Sequence, residues 1–159
     1  MKVIVNSSVL IFLAKLNKIE LLKKLFAEVI IPEAVHRECV LEGNRHEESL
    51  LIANATWIQV KRAKNLQLVE LLSDLIDDGE AEAITLALET RSLIILDDKD
   101  ARKIARGLNL QVTGIVGILL LAKKKKLIKE ISPFIERLKE EGFRISDELT
   151  LKILKEANE

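Results

Sequence analysis

LIILDDKDARKIARGLNLQVT, residues 93–113, decides the fold. Its opening, LIILD, is apolar and β-branched up to the aspartates, the composition of a strand buried on both faces. KDARKIARGLN then reads as a helix ended by Gly107, and LQVT as a second short strand. Strand, helix and strand in so short a stretch make the unit of a parallel sheet covered by helices.

The same alternation runs outward from this unit. KVIVN (residues 2–6) is a strand, and SSVLIFLAKLN follows as a helix with Ser7 or Ser8 at its cap. IELLKKLF is a second amphipathic helix, and EVIIP (residues 28–32) is a strand stopped by proline. Pro32 suits the first turn of the helix EAVHRECVLEG, which Gly43 can close. A polar stretch with Asn44, Arg45 and His46 leads into a short helix, and WIQVKR (residues 57–62) alternates as a strand. LQLVELLSDLI is helical, Asp77-Asp78-Gly79 is a turn, and EAEAITLALETR is the next helix. Everything after LQVT reads as helix: IVGILLLAKKKKLI, SPFIERLKEEG and DELTLKILKEANE. This order predicts a three-layer α/β/α fold around four or five parallel strands, in one domain over residues 1–159.

Composition narrows the classes. With 48% hydrophobic residues, 159 residues can bury a core without disulfides, and the single Cys39 has no intrachain partner. That usage suits a reducing compartment. The opening MKVIVNSSVLIFLAK is broken by Asn6, Ser7 and Ser8, and no small-residue cleavage site follows, so it does not read as a signal peptide. No run reaches the roughly 18 apolar residues of a membrane span. The expectation is a cytoplasmic protein that does not engage a membrane. Lys plus Arg and Asp plus Glu each total 25, so any nucleic-acid surface must be a local patch. GxGxxG and P-loop patterns are absent. Gly114 and Gly117 suit close packing, and His36, His46 and Cys39 lack zinc-ligand spacing.

In doubly wound sheets, ligands bind beyond the carboxyl ends of the strands. That rim selects Asn6 after the first strand and Asp97, Asp98 and Asp100 after LIIL. Glu80 and Glu82 start a helix near the same rim, and Glu38 shares a helical face with Val35 and Leu41. Carboxylates held together repel one another, and a hard divalent cation relieves this, magnesium or manganese before zinc. A second reading stays open on spacing alone. Acids at helix starts also favour the positive end of the dipole, and Asp97 or Asp98 can simply cap the following helix.

The ordered set IVNSSVLIFLAK, IIPEAVHRECV, DDGEAEAITLALE, LIILDDKDARKIARGLNLQVTGIVGILLLAKKKKLI and GFRISDEL resembles the PIN-domain family, in its VapC-like toxin branch. The resemblance implies a metal-dependent ribonuclease that hydrolyses single-stranded RNA with Mg2+ or Mn2+, restrained by an antitoxin protein. It places the family's four acidic positions on Asn6, Glu38, Glu82 and Asp98 as metal ligands, the last three catalytic together with Asp100. Ser8, Glu80 and Asp97 stand behind these as supporting groups. The family expects Asp where this chain has Asn6, whose amide oxygen can ligate a cation but carries no charge and cannot act as a base. An impaired nuclease, or an inactive PIN-like module that binds RNA or protein, is the rival reading.

Arg102 and Arg106 share a face of the helix after Asp98 and are placed to grip RNA phosphates. Lys123 to Lys126 form the clearest basic run, suited equally to a helix carboxyl end. With no Tyr and 3% aromatics, contacts to RNA should fall mainly on its backbone. Leu149, Leu151, Ile153 and Leu154 give the last helix an apolar face for the core or for a homodimer.

Overall fold

Three consecutive β-branched residues with no exposed surface, Val3, Ile4 and Val5, mark the middle of the molecule. They belong to β1 (Lys2–Val5), the central strand of the sheet in the computed structural model, which describes residues 1–43 and 46–159. β2 (Glu28–Pro32), β3 (Ile58–Lys61), β4 (Leu93–Ile95) and β5 (Val112–Thr113) complete a five-stranded sheet in the order β3-β2-β1-β4-β5. All pairings are parallel, with Val3 opposite both Val29 and Leu93. The expected parallel α/β architecture holds, with five strands.

Alternation of side chains across the sheet divides the core in two. Val3, Val5, Val29, Ile31 and Ile95 face α1 (Ser7–Lys15), α2 (Glu20–Leu25) and α8 (Ile115–Lys124). Ile4, Ile30 and Ile94 face α6 (Asp78–Thr90) and α7 (Lys99–Gly107) on the other side. Around these lie α3 (Glu33–His36), α4 (Glu47–Asn54), α5 (Leu66–Ser73), α9 (Ser132–Glu140) and α10 (Asp147–Glu156). On α10, Ile153 packs into the core while Leu149 and Leu151 stay exposed. Among the described residues, no helix is long and apolar enough to cross a membrane.

Three local departures from the sequence reading reshape the rim. Asn6, not Ser7 or Ser8, occupies the N-cap position of α1, and its side chain makes no capping bond. The helix begun at Glu33 widens into a π-helical turn over Arg37–Leu41, where the Glu42 N–H donates to the Arg37 carbonyl at 2.8 Å. Asp77-Asp78-Gly79 is not a free turn. Asp77 caps α6 by accepting the Glu80 N–H at 2.8 Å, and Asp78 and Gly79 are already helical. The polar stretch at Asn44 and Arg45 lies outside the described residues.

Candidate active site

Helices that follow parallel strands begin at the carboxyl edge of the sheet, so their first turns and the strand ends crowd one rim. Asn6 ends β1 there, 3% exposed, with its backbone N–H donating to Ile95 at 3.1 Å. Its side-chain Oδ1 is buried and accepts no hydrogen bond. Leaving such an acceptor unsatisfied costs roughly 1–3 kcal/mol, which a hard cation or a water donor would offset.

Glu38 reaches the rim through Ser7. The Ser7 hydroxyl donates to Glu38 Oε2 at 2.9 Å, from inside the first turn of α1. The π-helical turn carries Glu38, and a widened turn rotates the following side chains relative to a regular helix. The carboxylates of Glu38 and Asp77 each lie 3.6 Å from where a β-carbon on Gly79 would stand. Gly79 thus keeps the space between two acids open. A longer branched side chain there is predicted to fill it. Gly79→Val should abolish metal-induced changes in melting temperature, and because Gly79 is buried against Val35 it should also lower stability by roughly 1–3 kcal/mol. A full metal response in that variant would show that the space is not used.

Glu80 is the deepest acid, 7% exposed. Burial first, then the nearby Asp77 and Asp98 carboxylates, push its carboxyl up to about 7. Asp98 itself caps α7, with Oδ2 accepting the Ala101 N–H at 2.9 Å. Asp77, Glu80 and Asp98 therefore share one field, bounded by Glu38 on the side of α3. Glu82 lies half-buried at the same rim, where its Oε2 accepts the Ala34 N–H at 3.3 Å at the start of α3. The sequence reading places the third acid on Glu82; two residues earlier, Glu80 has its pKa raised in part by Asp98. Ser8 makes no hydrogen bond to the acids comparable to that of Ser7. Asp100 is exposed in the first turn of α7.

Among the described residues, no three His, Cys, Asp or Glu side chains stand close enough together to hold a metal ion. Asp77 and Asp98 each hold a helix amide, and Glu82 holds another. The donor set is nevertheless all oxygen, and it includes the orphaned Asn6 amide oxygen, a combination suited to magnesium or manganese.

Asp97 has a different job from Asp98. Its Oδ2 accepts the Ile115 N–H at 3.2 Å, tying β4 to the start of α8, and its Oδ1 lies 3.6 Å from Arg102. Burial raises its pKa, opposed by the Ile115 amide and the Arg102 guanidinium. This pair occupies the space a side chain on Gly114 would need, and a β-carbon there would collide with Asp97 and crowd Arg102. Gly114→Ala is therefore predicted to destabilise the fold by about 1–3 kcal/mol, read as a lowered urea midpoint. An unchanged midpoint would contradict the packing described. Arg106, on the same helical face as Arg102, is exposed in the last turn of α7. It sits about 12 Å along the axis from the rim at which that helix begins.

The sequence reading missed Ser7 and Asp77, and it took Glu80 only as a supporting group. A signal existed for two of them, because Asp77 and Glu80 have the spacing of a capping box, D-x-x-E at a helix start. None marks the π-helical turn, which depends on tertiary packing.

A parallel α/β/α sandwich with carboxylates gathered at its strand ends is the architecture of PIN-type domains, generally a nuclease fold and generally dependent on divalent metal. The family model described as a PIN domain, DUF3368, matches residues 2–159, and the chain belongs to that family. Among solved structures it is similar to a PilT N-terminus domain protein from the hyperthermophilic archaeon Sulfolobus solfataricus P2. The TM-score is 0.51 with 20% sequence identity, over 74% of this chain and 90% of that one. That likeness is one of fold. No curated protein matches the sequence.

Proposed function

We propose that the protein is a metal-dependent endoribonuclease of the toxin type, acting on single-stranded RNA, with activity lowered by Asn6. The observation that carries this reading is the buried Asn6 Oδ1, an acceptor without a donor at the end of β1, next in the chain to Ser7, which holds Glu38. Glu38, Glu80 and Asp98 would hold Mg2+ or Mn2+ with Asn6, and Glu82 would serve to fix α3 beside them. A bound divalent cation supplies an activated water and stabilises charge developing at a phosphodiester.

The chain's own residues do the rest. Ser7 fixes the rotamer of Glu38 through its hydroxyl, and Asp77 holds the start of α6 so that Glu80 faces Asp98. Glu80, with its pKa near 7, can carry a proton until a cation displaces it. Arg102 stands next to the rim, where a phosphate flanking the cut would lie. Asp100, exposed at the start of the helix, is placed to assist from the solvent side. An antitoxin protein and a homodimer belong to this toxin-type reading through the family resemblance.

Asn6 also favours a second reading, a PIN domain that binds RNA or protein without cutting. An amide at this position weakens the metal and removes a potential base. Both readings are separated by incubating the protein and its Asn6→Asp variant with a mixed pool of single-stranded RNA and manganese. Cleavage by Asn6→Asp, with weaker cleavage by the parent, is the expected result. Failure of both proteins to cut would end the nuclease reading.

A further inference from the structure

Beside the acids, at the end of β5, lies a cavity of about 510 Å³ that no step above uses. Its volume falls within the roughly 300–1,000 Å³ of ordinary ligand clefts. Two kinds of wall meet in it. Arg102 and Arg144 form the charged part with Asp97, while Phe143, Ile145 and Leu149 form the apolar part. Asp97 is already held by the Ile115 amide and Arg102, and the charged groups together leave one net positive charge. Arg144 is exposed and makes no ion pair among the described residues. The cavity reaches the same rim through Asp97, which follows β4 and precedes Asp98 in the chain.

A site that is cationic on one side and apolar on the other matches an anionic group joined to a flat apolar one. We propose that this cavity receives one nucleotide of a single-stranded RNA next to the phosphodiester held at the acids. The base lies against Ile145, Leu149 and Phe143, and the phosphate faces Arg102 and Arg144. The inference rests on the nuclease reading for its choice of ligand, although the binding itself needs no metal. Phe143 already meets Phe12 edge-on, with ring centroids 5.5 Å apart, so its ring is fixed before any ligand arrives. This adds an apolar contact to an interface that the aromatic-poor sequence alone assigns to the backbone. It also gives the two arginines of the rim different duties. Arg102 bridges Asp97 and the ligand, whereas Arg144 answers to the ligand alone.

The test is equilibrium binding in chelator, where cleavage cannot intervene, using hexauridylate and hexaadenylate as separate probes. Methyl resonances of Ile145 and Leu149 should shift saturably with at least one of them. Arg144→Glu, at an exposed position, should weaken that binding about tenfold and flatten its salt dependence by about one counterion. Leu149→Trp, also exposed, should fill the cavity and weaken binding to a similar degree, with both melting temperatures unchanged. Methyls undisturbed by both probes, or an affinity untouched by both variants, would overturn the proposal. The two readings fail separately. RNA cleavage by Asn6→Asp that is indifferent to Arg144→Glu removes the cavity and keeps the nuclease. Methyl shifts in a protein that cuts nothing, even as Asn6→Asp, remove the nuclease and keep the cavity.

Discussion

Asn6→Asp is expected to melt earlier than the parent in chelator and to gain more from manganese than the parent does. The starting point is the 3% exposure of Asn6 and its unpartnered Oδ1. A carboxylate at that place is buried without a hydrogen-bond donor to meet it, at the rim that carries Glu80, Asp77 and Asp98. An uncompensated buried charge costs of the order of 3 kcal/mol. For a chain of this length that corresponds to a fall in melting temperature of roughly 6–12 °C. Adding manganese reverses the sign, because the cation then has one more formal charge to bind. At a concentration a hundred times the dissociation constant, mass action alone returns about 2.7 kcal/mol. The parent, whose proposed fourth ligand Asn6 is a neutral amide, should show a smaller rise at the same concentration. Scanning calorimetry of both proteins, with chelator and with millimolar manganese, measures all four values. The metal argument collapses if the gap between chelator and manganese is the same in the two proteins.

The fold was legible because its signals are periodic and strong. VIV, VII and LII are short β-branched runs, and Pro32, Gly43 and Gly107 punctuate the helices between them. Those runs could only be central strands of a parallel sheet, and their order along the chain gives the rim on which Asn6 and Asp98 stand. Finer placement followed different physics. Glu80 and Glu82 are two residues apart on one helix, so they point about 200° away from each other, and only the packing of α6 on its neighbours decides which one meets Asp98. Sequence spacing offers no such information. Ser7 and Ser8, about 100° apart at the start of α1, pose a similar problem, and Ser7 wins because α1 turns its side toward the π-helical segment. Arg102 and Arg106 share a face, as spacing requires, but a helix that starts at the rim carries its later residues away from it. Distance along the axis, rather than face, separates their surroundings.

The buried glutamate supplies the second large effect, on the pH dependence of stability. Glu80 has an ordinary carboxyl value of 4.5 when unfolded and about 7 when folded, raised first by burial and then by Asp77 and Asp98. Between those two values the folded protein holds a proton that the unfolded chain has released. Stability in chelator is therefore fully present below about 4.5, falls as the pH rises through about 7, and levels off above it. The gap between the two values sets a ceiling of about 3 kcal/mol on that fall. Glu80→Gln carries a permanent neutral side chain of the same shape, so it should lack this component and be the more stable protein at pH 8 without metal. Every other group is common to the two proteins, so the difference between parent and variant, followed from pH 5 to 8 by urea unfolding, isolates Glu80. On the proposed ligand set manganese should invert the order at pH 8, because the variant would lack the Glu80 carboxylate that made the parent unstable. At pH 6, binding to the parent should release close to one proton, seen by calorimetry in buffers of different ionisation enthalpy, and binding to the variant should release fewer. A parent and variant whose stabilities run parallel across this range would mean that Glu80 is not the acid that burial and its neighbours hold protonated, and the cation would have to be sought at another set of carboxylates.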